Sequence, residues 1–175
     1  MYQTHHTATF GHSAIQRHAV RPPLYSWDFF SQYFQNRLAE LSKYKDLSAL
    51  NKLKARFGWH IDFDAGDFTT KAYQAIVVTD SATKIVWVNP GFSSMTGYYA
   101  NEALGRTPKF LQGEKVSVEA SHKIRIALDN KEQVSANVIN YRKSGEEYLC
   151  EVAIYPLFGK NNEVTHFIAL EREIA

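Results

Sequence analysis

Gly105-Arg106-Thr107-Pro108-Lys109-Phe110-Leu111-Gln112-Gly113 decides how this chain reads. Pro108 fixes its own φ near the helical value and biases Thr107 towards extended backbone, so a short helical turn opens at Pro108. Phe110 and Leu111 are the apolar members of that turn and belong in a core. On the N-terminal side, residues 92–97 after Pro90 predict a short helix, and residues 102–105 predict a single turn. Before them, residues 75–80 and 84–89 are two β-rich runs around a Ser-Ala-Thr turn, a hairpin pattern. On the C-terminal side, residues 117–130 predict a longer helix with Val118, Ile124, Ala127 and Leu128 on one side. Three strands follow, 134–142, 147–158 and 164–171, joined by Lys143-Ser144-Gly145 and by Gly159-Lys160-Asn161-Asn162, both turn chemistry. Two strands, several short helices and three strands make an α+β fold with an antiparallel sheet.

The first part of the chain has a different pattern. Residues 1–25 carry His5, His6, His12, His18, Pro22 and Pro23 with no clear apolar period, which predicts an irregular N-terminal arm. Residues 26–70 form a helical extension. Ser26 is an N-cap candidate, and Trp27, Phe30, Phe34, Leu38 and Leu41 recur at spacings of three and four. Asp46 can cap a second helix carrying Leu47, Leu50, Leu53 and Phe57, closed by Gly58. The alternation Trp59, Ile61, Phe63 predicts a short strand.

Composition narrows the function classes. The chain has 175 residues, of which 45% are hydrophobic and 14% aromatic, enough for a real core. Net charge is +2, with 20 basic against 18 acidic residues, so charge gives no case for nucleic acid or an anionic membrane. No apolar run reaches the roughly 18 residues of a membrane span. The one cysteine, Cys150, cannot form an internal disulfide, and a cytoplasmic location is expected. The arm histidines and His122 match no metal-ligand spacing, and there is no phosphate loop, nucleophile elbow or kinase signature, so no catalysis is expected.

Several further pieces fall in a recognisable order: Val78-Thr79-Asp80, Trp87-Val88-Asn89-Pro90-Gly91-Phe92, Met95-Thr96-Gly97-Tyr98, Glu102, Leu104-Gly105, Asn140-Tyr141-Arg142-Lys143-Ser144-Gly145 and Val164-Thr165-His166-Phe167. Together with the opening stretch, residues 71–175 resemble a PAS domain of the flavin-binding LOV-like branch. The resemblance implies a five-stranded antiparallel sheet with short helices on one face, cradling a ligand, and a role in sensing and signal transduction.

In that branch the opening stretch usually reads Gly-x-Asn-Cys-Arg-Phe-Leu-Gln, and its cysteine forms the adduct with flavin under blue light. Carried over residue by residue, the first Asn falls on Thr107, the Cys on Pro108 and the Arg on Lys109. Gln112 and Asn140 keep their amides. A second Asn falls on Cys150, and a Gln on the last strand falls on Glu171. A flavin ring edge needs paired donors and acceptors. A thiol is a poor partner there, and an ionised Glu171 cannot donate. Thr107, Lys109, Gln112, Asn140, Cys150 and Glu171 are therefore the candidate ligand-binding set, with no resident cofactor expected. Flavin (FMN or FAD) in a photoreceptor without the adduct cysteine is the alternative. Asn140 and Gln112 also have a simpler reading, as partners of backbone groups near turns.

The stripe Trp27, Phe30, Phe34, Leu38 and Leu41 must cover something. It caps the outer face of its own sheet or pairs with a second copy, and a homodimer is the expected outcome. A signalling partner acting in trans is the second expected contact, the alternative being a longer protein that continues beyond the sheet.

Overall fold

The structure is a computed structural model that describes residues 26–61, 63, 68, 71–115 and 117–174, with side chains from residue 31 onward. The arm histidines, the Trp27 and Phe30 side chains and Asp62 lie outside the described residues. The chain divides after Ala39, and Glu40–Ala175 carries the sheet.

Helix α1 spans Ser26–Phe57 without interruption. This corrects the two-helix expectation. Asp46 is not a cap but a buried residue in the middle of the helix, and its carboxylate Oδ2 accepts from Asn89 Nδ2 at 2.9 Å. An N-cap residue is recognised from its type alone, whereas Asp46's partner is 43 positions away. The helix does end at Gly58, whose φ of +69° is the left-handed cap conformation open to glycine.

The strands are β1 Ala75–Asp80, β2 Ile85–Val88, β3 Val134–Tyr141, β4 Glu147–Phe158 and β5 Val164–Glu173. They form one sheet in the order β2-β1-β5-β4-β3. Every neighbouring pair is antiparallel. The β1–β2 connection closes on Asp80, whose side chain accepts from Lys84 N at 2.8 Å. The tight turn between β3 and β4 needs Gly145 at φ +87°. Between β2 and β3 come α2 Pro90–Thr96, α3 Ala100–Ala103, a 3-10 turn Pro108–Leu111 and α4 Val118–Asn130. The α+β reading and the five-stranded antiparallel sheet therefore hold.

Alternation along the strands gives the sheet two apolar faces. The inner face carries Ala75, Val77, Val138, Tyr148, Cys150 and Val152, which pack against Phe92 and Met95 of α2, Ala103 of α3 and Leu111 of the 3-10 turn. The outer face carries Ile76, Val78, Ala153, Tyr155, Leu157, Ile168 and Leu170, which pack against Leu50 with Leu47, Leu53 and Phe57 of α1. The second half of α1 thus caps its own sheet. In the first half, Phe34, Leu38 and Leu41 of the stripe are 52%, 45% and 49% exposed.

Two smaller expectations also change. Trp59-Ile61-Phe63 form no strand. Trp59 and Phe63 are core residues of the outer layer: the Trp59 ring stacks on Phe57 with centroids 5.2 Å apart, and Phe63 meets Phe68 edge-on at 5.0 Å. An alternation of aromatics there reflects packing into the core from irregular backbone. On α4, Val118 points to solvent, while Ala120 and Ile124 pack against the inner core and Ala127 is buried. Val118 is the first residue after the Ser117 cap, where the helix has not yet turned its face to the sheet.

Candidate ligand site

Sheet register brings three of the candidate residues together. On β3, Asn140 lies opposite Tyr148, and Val138 lies opposite Cys150. On β5, Glu171 lies opposite Val152 of β4 and Ala75 of β1. Side chains two residues apart share a face, so Asn140, Tyr148, Cys150 and Glu171 all point to the inner layer. All four are buried, Tyr148 at 2% and Glu171 at 6% exposure. Tyr148 was not among the expected residues. Its signal is the period of two, since Tyr148, Cys150 and Val152 alternate with Leu149 and Glu151.

Two polar atoms in this cluster have no hydrogen-bond partner among the described residues: Tyr148 Oη and Glu171 Oε2. Leaving such atoms buried costs roughly 1–3 kcal/mol each. Burial pushes the Glu171 carboxyl up to about 7, into the range where it holds a proton near neutrality. Burial, with the Glu171 charge adding to it, pushes both the Tyr148 hydroxyl and the Cys150 thiol above their ordinary ranges. The Asn140 amide approaches the Tyr148 hydroxyl and opposes that rise, but it does not meet the geometry of a hydrogen bond. The Cys150 Sγ lies 3.6 Å from the carbonyl of Glu151, and the Arg172 backbone opposes the rise of its thiol. It is a neutral thiol in a core, without the activating environment of a nucleophile.

A cation borders the cluster and is already committed. Arg142, just past β3, sets its Nη2 2.6 Å from Glu173 Oε1 and its Nε 3.1 Å from Glu146 Oε2. Its Nη1 donates to the Met95 carbonyl at the end of α2. The guanidinium lies 4.5 Å from the centroid of the Tyr148 ring. Arg142 therefore ties the edge of the cluster to α2 and leaves Glu171 without a counter-charge.

The remaining candidates come from the 3-10 turn. Thr107 is its N-cap and Gln112 its C-cap, both half-buried, and Lys109 is exposed. Pro108 begins the turn, and Leu111 carries it into the inner core beside Tyr148 and Cys150. Phe110 is held between Tyr98, with ring centroids 5.0 Å apart, and the guanidinium of Arg106 at 3.9 Å. The turn therefore reaches the Asn140–Glu171 cluster through the apolar Leu111 rather than through its polar candidates. Two open grooves of about 280 and 380 Å³ lie elsewhere, one beside Lys71 and Arg172, the other beside Asp46 and Trp87.

A second polar joint links α1 to the start of α2. Asn89 caps α2: its Oδ1 accepts from Phe92 N at 3.0 Å and from Ile76 N at 2.8 Å, while its Nδ2 reaches Asp46. Burial raises the Asp46 carboxyl, and the Asn89 hydrogen bond opposes that shift. Sequence reading missed this joint because each residue has an ordinary local role.

A model of the PAS domain matches residues 74–175. The chain belongs to the PAS domain family. The PAS segment is 33% identical over 102 residues to a blue-light photoreceptor of Listeria innocua, covering 57% of this chain and 40% of that protein. It is 38% identical over 95 residues to a blue-light-activated histidine kinase of Rhizobium johnstonii, covering 53% of this chain and 28% of the kinase. A solved Light-Oxygen-Voltage domain studied with a flavin analogue superposes with TM-score 0.56 at 30% identity, covering 58% of this chain and 78% of that one. The PAS protein described here thus spans well under half of either curated relative's length. Among the described residues, no helix is long and apolar enough to cross a membrane.

Relatives of this branch imply a flavin, and the residues present fit its ring edge in one protonation state. Asn140 supplies an amide. Glu171 matches the donor-and-acceptor character of an amide only when it carries a proton. Cys150 supplies neither function.

Proposed function

We propose that this PAS protein is a non-catalytic sensory module whose inner sheet face takes a small ligand and whose α1 helix passes the change on by protein–protein contact. The observation that carries the reading is the pair of buried, unpartnered atoms Tyr148 Oη and Glu171 Oε2 beside Asn140. A folded core rarely keeps such atoms unless an ordered water or a bound group satisfies them, and two of them side by side on one face suit a bound group. Native mass spectrometry of gently purified protein tests this. A stoichiometric small-molecule mass that is lost on unfolding, and reduced in Tyr148→Phe, is the expected result. Protein that carries no such mass, and that neither quenches flavin fluorescence nor gains melting temperature with flavins or other planar heterocycles, refutes it.

The second reading is a photoreceptor that holds flavin without the adduct cysteine, favoured by the near-neutral Glu171 carboxyl. A bound flavin would supply blue-light absorption and electron acceptance. Asn140 and Glu171 would orient the ring edge, Gln112 would be a further amide, and Lys109 would meet a phosphate tail. Pro108 has no thiol, so no adduct forms at that position. Purified protein with a band near 450 nm supports this reading, and colourless protein denies it.

For association, the half-exposed Phe34, Leu38 and Leu41 support a homodimer in which the stripe that begins at Trp27 and Phe30 pairs with a second copy. Each large side chain so covered contributes roughly 1.5–3 kcal/mol. Light scattering on the full chain, alone and as Leu38→Glu, reads this out. A full chain that is monomeric at tens of micromolar sinks the dimer.

A further inference from the structure

We propose that the groove of about 380 Å³ between α1 and the start of α2 binds a free α-amino acid with an apolar side chain. Asp46 takes the ligand's ammonium, Lys45 its carboxylate and Trp87 its side chain. The site is separate from the inner-face cluster and does not depend on a ligand there.

Three elements build the groove. Helix α1 contributes Lys45, Asp46 and Ala49. The end of β2 contributes Trp87, and α2 contributes its cap Asn89 with Pro90 and Ser93. A volume of this size falls in the range of small-molecule sites, roughly 300–1,000 Å³.

The charges around the groove set the class of ligand. Asp46 is buried and yet lines the groove. Asn89 satisfies its Oδ2 with an amide donor, which carries no charge. Among the described residues no cation pairs with the carboxylate. Lys43, one turn earlier on α1, donates to the Lys71 carbonyl at 3.2 Å. Tyr73 senses the Asp46 charge and stays neutral: burial first, and then that charge, push its hydroxyl up to about 12. Its Oη makes no hydrogen bond to Asp46. A buried carboxylate without a counter-ion is costly, and burial raises the Asp46 carboxyl accordingly. An ammonium group in the groove supplies the missing charge. Lys45 stands exposed beside it. A ligand with positive charge alone would meet Lys45 as a like charge, whereas a zwitterion answers both groups. In an α-amino acid the two charges sit on one carbon, just as Lys45 and Asp46 are neighbours in the chain. The rest of the lining is largely apolar, with the Trp87 indole, Pro90 and Ala100, and offers contact to a side chain.

Amide shifts of the full chain, labelled with nitrogen-15, are followed while L-phenylalanine, phenylalaninamide and N-acetylphenylalanine are added. L-Phenylalanine is expected to move the amides of residues 45–49 and 87–89. N-acetylphenylalanine lacks the ammonium and should bind at least about tenfold more weakly, because a hydrogen bond to a buried charge carries the recognition. Phenylalaninamide lacks the carboxylate and should bind about two- to fivefold more weakly, as for an exposed ion pair. Lys45→Ala, at an exposed position, should weaken L-phenylalanine by that same factor and leave phenylalaninamide no weaker. Asp46→Asn keeps an acceptor for Asn89 and should cost L-phenylalanine at least about tenfold. Should that variant fold poorly, the Lys45→Ala comparison decides. Equal binding of the three compounds, or Lys45→Ala weakening L-phenylalanine and phenylalaninamide alike, overturns the zwitterion class. Amides of residues 45–49 and 87–89 that stay still at millimolar L-phenylalanine overturn the site.

Discussion

Replacing Glu171 by Gln tests the buried acid through stability alone, with no ligand present. The carboxyl titrates at about 7 in the folded protein against an ordinary value of 4.5. The folded state therefore keeps a proton that the unfolded chain has lost throughout that window. Stability must fall as pH rises from about 4.5 to about 7, and the loss is complete above 7. A tenfold difference in proton affinity between the folded and unfolded chain is worth about 1.4 kcal/mol, so the total is about 3 kcal/mol, of which about 2.5 falls between pH 5 and pH 8. Glu171→Gln removes this dependence. At any one pH the amide brings its own burial cost, so the sign of a single comparison decides little. The difference between pH 5 and pH 8 decides it: the variant should gain about 2–3 kcal/mol on the wild type over that interval. Urea unfolding followed by tryptophan fluorescence, at half-unit steps of pH with equal m-values, measures it. For a chain of this size the same gain is a relative shift in Tm of about 5–10 °C. A wild-type-to-variant difference that stays constant within about 0.5 kcal/mol from pH 5 to pH 8 refutes the reasoning, for it would mean that the carboxyl is ionised or solvated in the folded state throughout.

Gly91→Ala should be severely destabilising, by more than about 3 kcal/mol, because an added Cβ would lie 1.8 Å from the Gln74 carbonyl oxygen, and backbone cannot step aside; thermal unfolding by circular dichroism checks it. Asp46→Ala strips the partner from Asn89 Nδ2 in a buried joint and should cost about 1–3 kcal/mol, with faster amide exchange in α1 from residue 43 to 50 and at the start of α2. The Trp59 indole donates to His166 Nδ1 at 3.2 Å, and burial lowers the His166 titration below its ordinary 6.5. A buried base kept neutral loses stability as pH falls below about 6.5, opposite in sign to Glu171. Between pH 6.5 and pH 5 His166→Gln should therefore gain urea midpoint on the wild type, and a wild-type-to-variant difference that stays constant over that interval would contradict this.

The sheet was readable because each strand is a run of β-favouring residues bounded by turn chemistry, as at Gly145 and Asn162. The motif carried Asn140, Cys150 and Glu171 to their places because ladder register follows directly from strand and turn lengths. What stayed hidden depends on contacts distant in sequence. Asp46 looks like a cap until Asn89 is brought beside it. Trp59 and Phe63 look like strand residues until Phe57, Phe68 and His166 surround them. The protonation of Glu171 could not be read at all, since the letter for glutamate says nothing of the solvent it will lose. Tyr148 was within reach, two residues from Cys150, but an aromatic in a strand reads as packing until its hydroxyl is found without a partner.

Asn89 is one amide shared by three elements: it caps α2, fixes the backbone of β1 at Ile76 and holds the Asp46 carboxylate of α1. The helix it caps is gripped at its other end by Arg142, whose guanidinium lies 4.5 Å from the centroid of the Tyr148 ring. Hydrogen bonds of this kind tolerate only a few tenths of an ångström before they open. Helix α2 is therefore geared at both ends, to the inner cluster through one and to the long N-terminal helix through the other. A displacement that begins at the Tyr148 ring would have a continuous route through Arg142, α2 and Asn89 to Asp46, from a core position to a helix on the opposite side of the sheet.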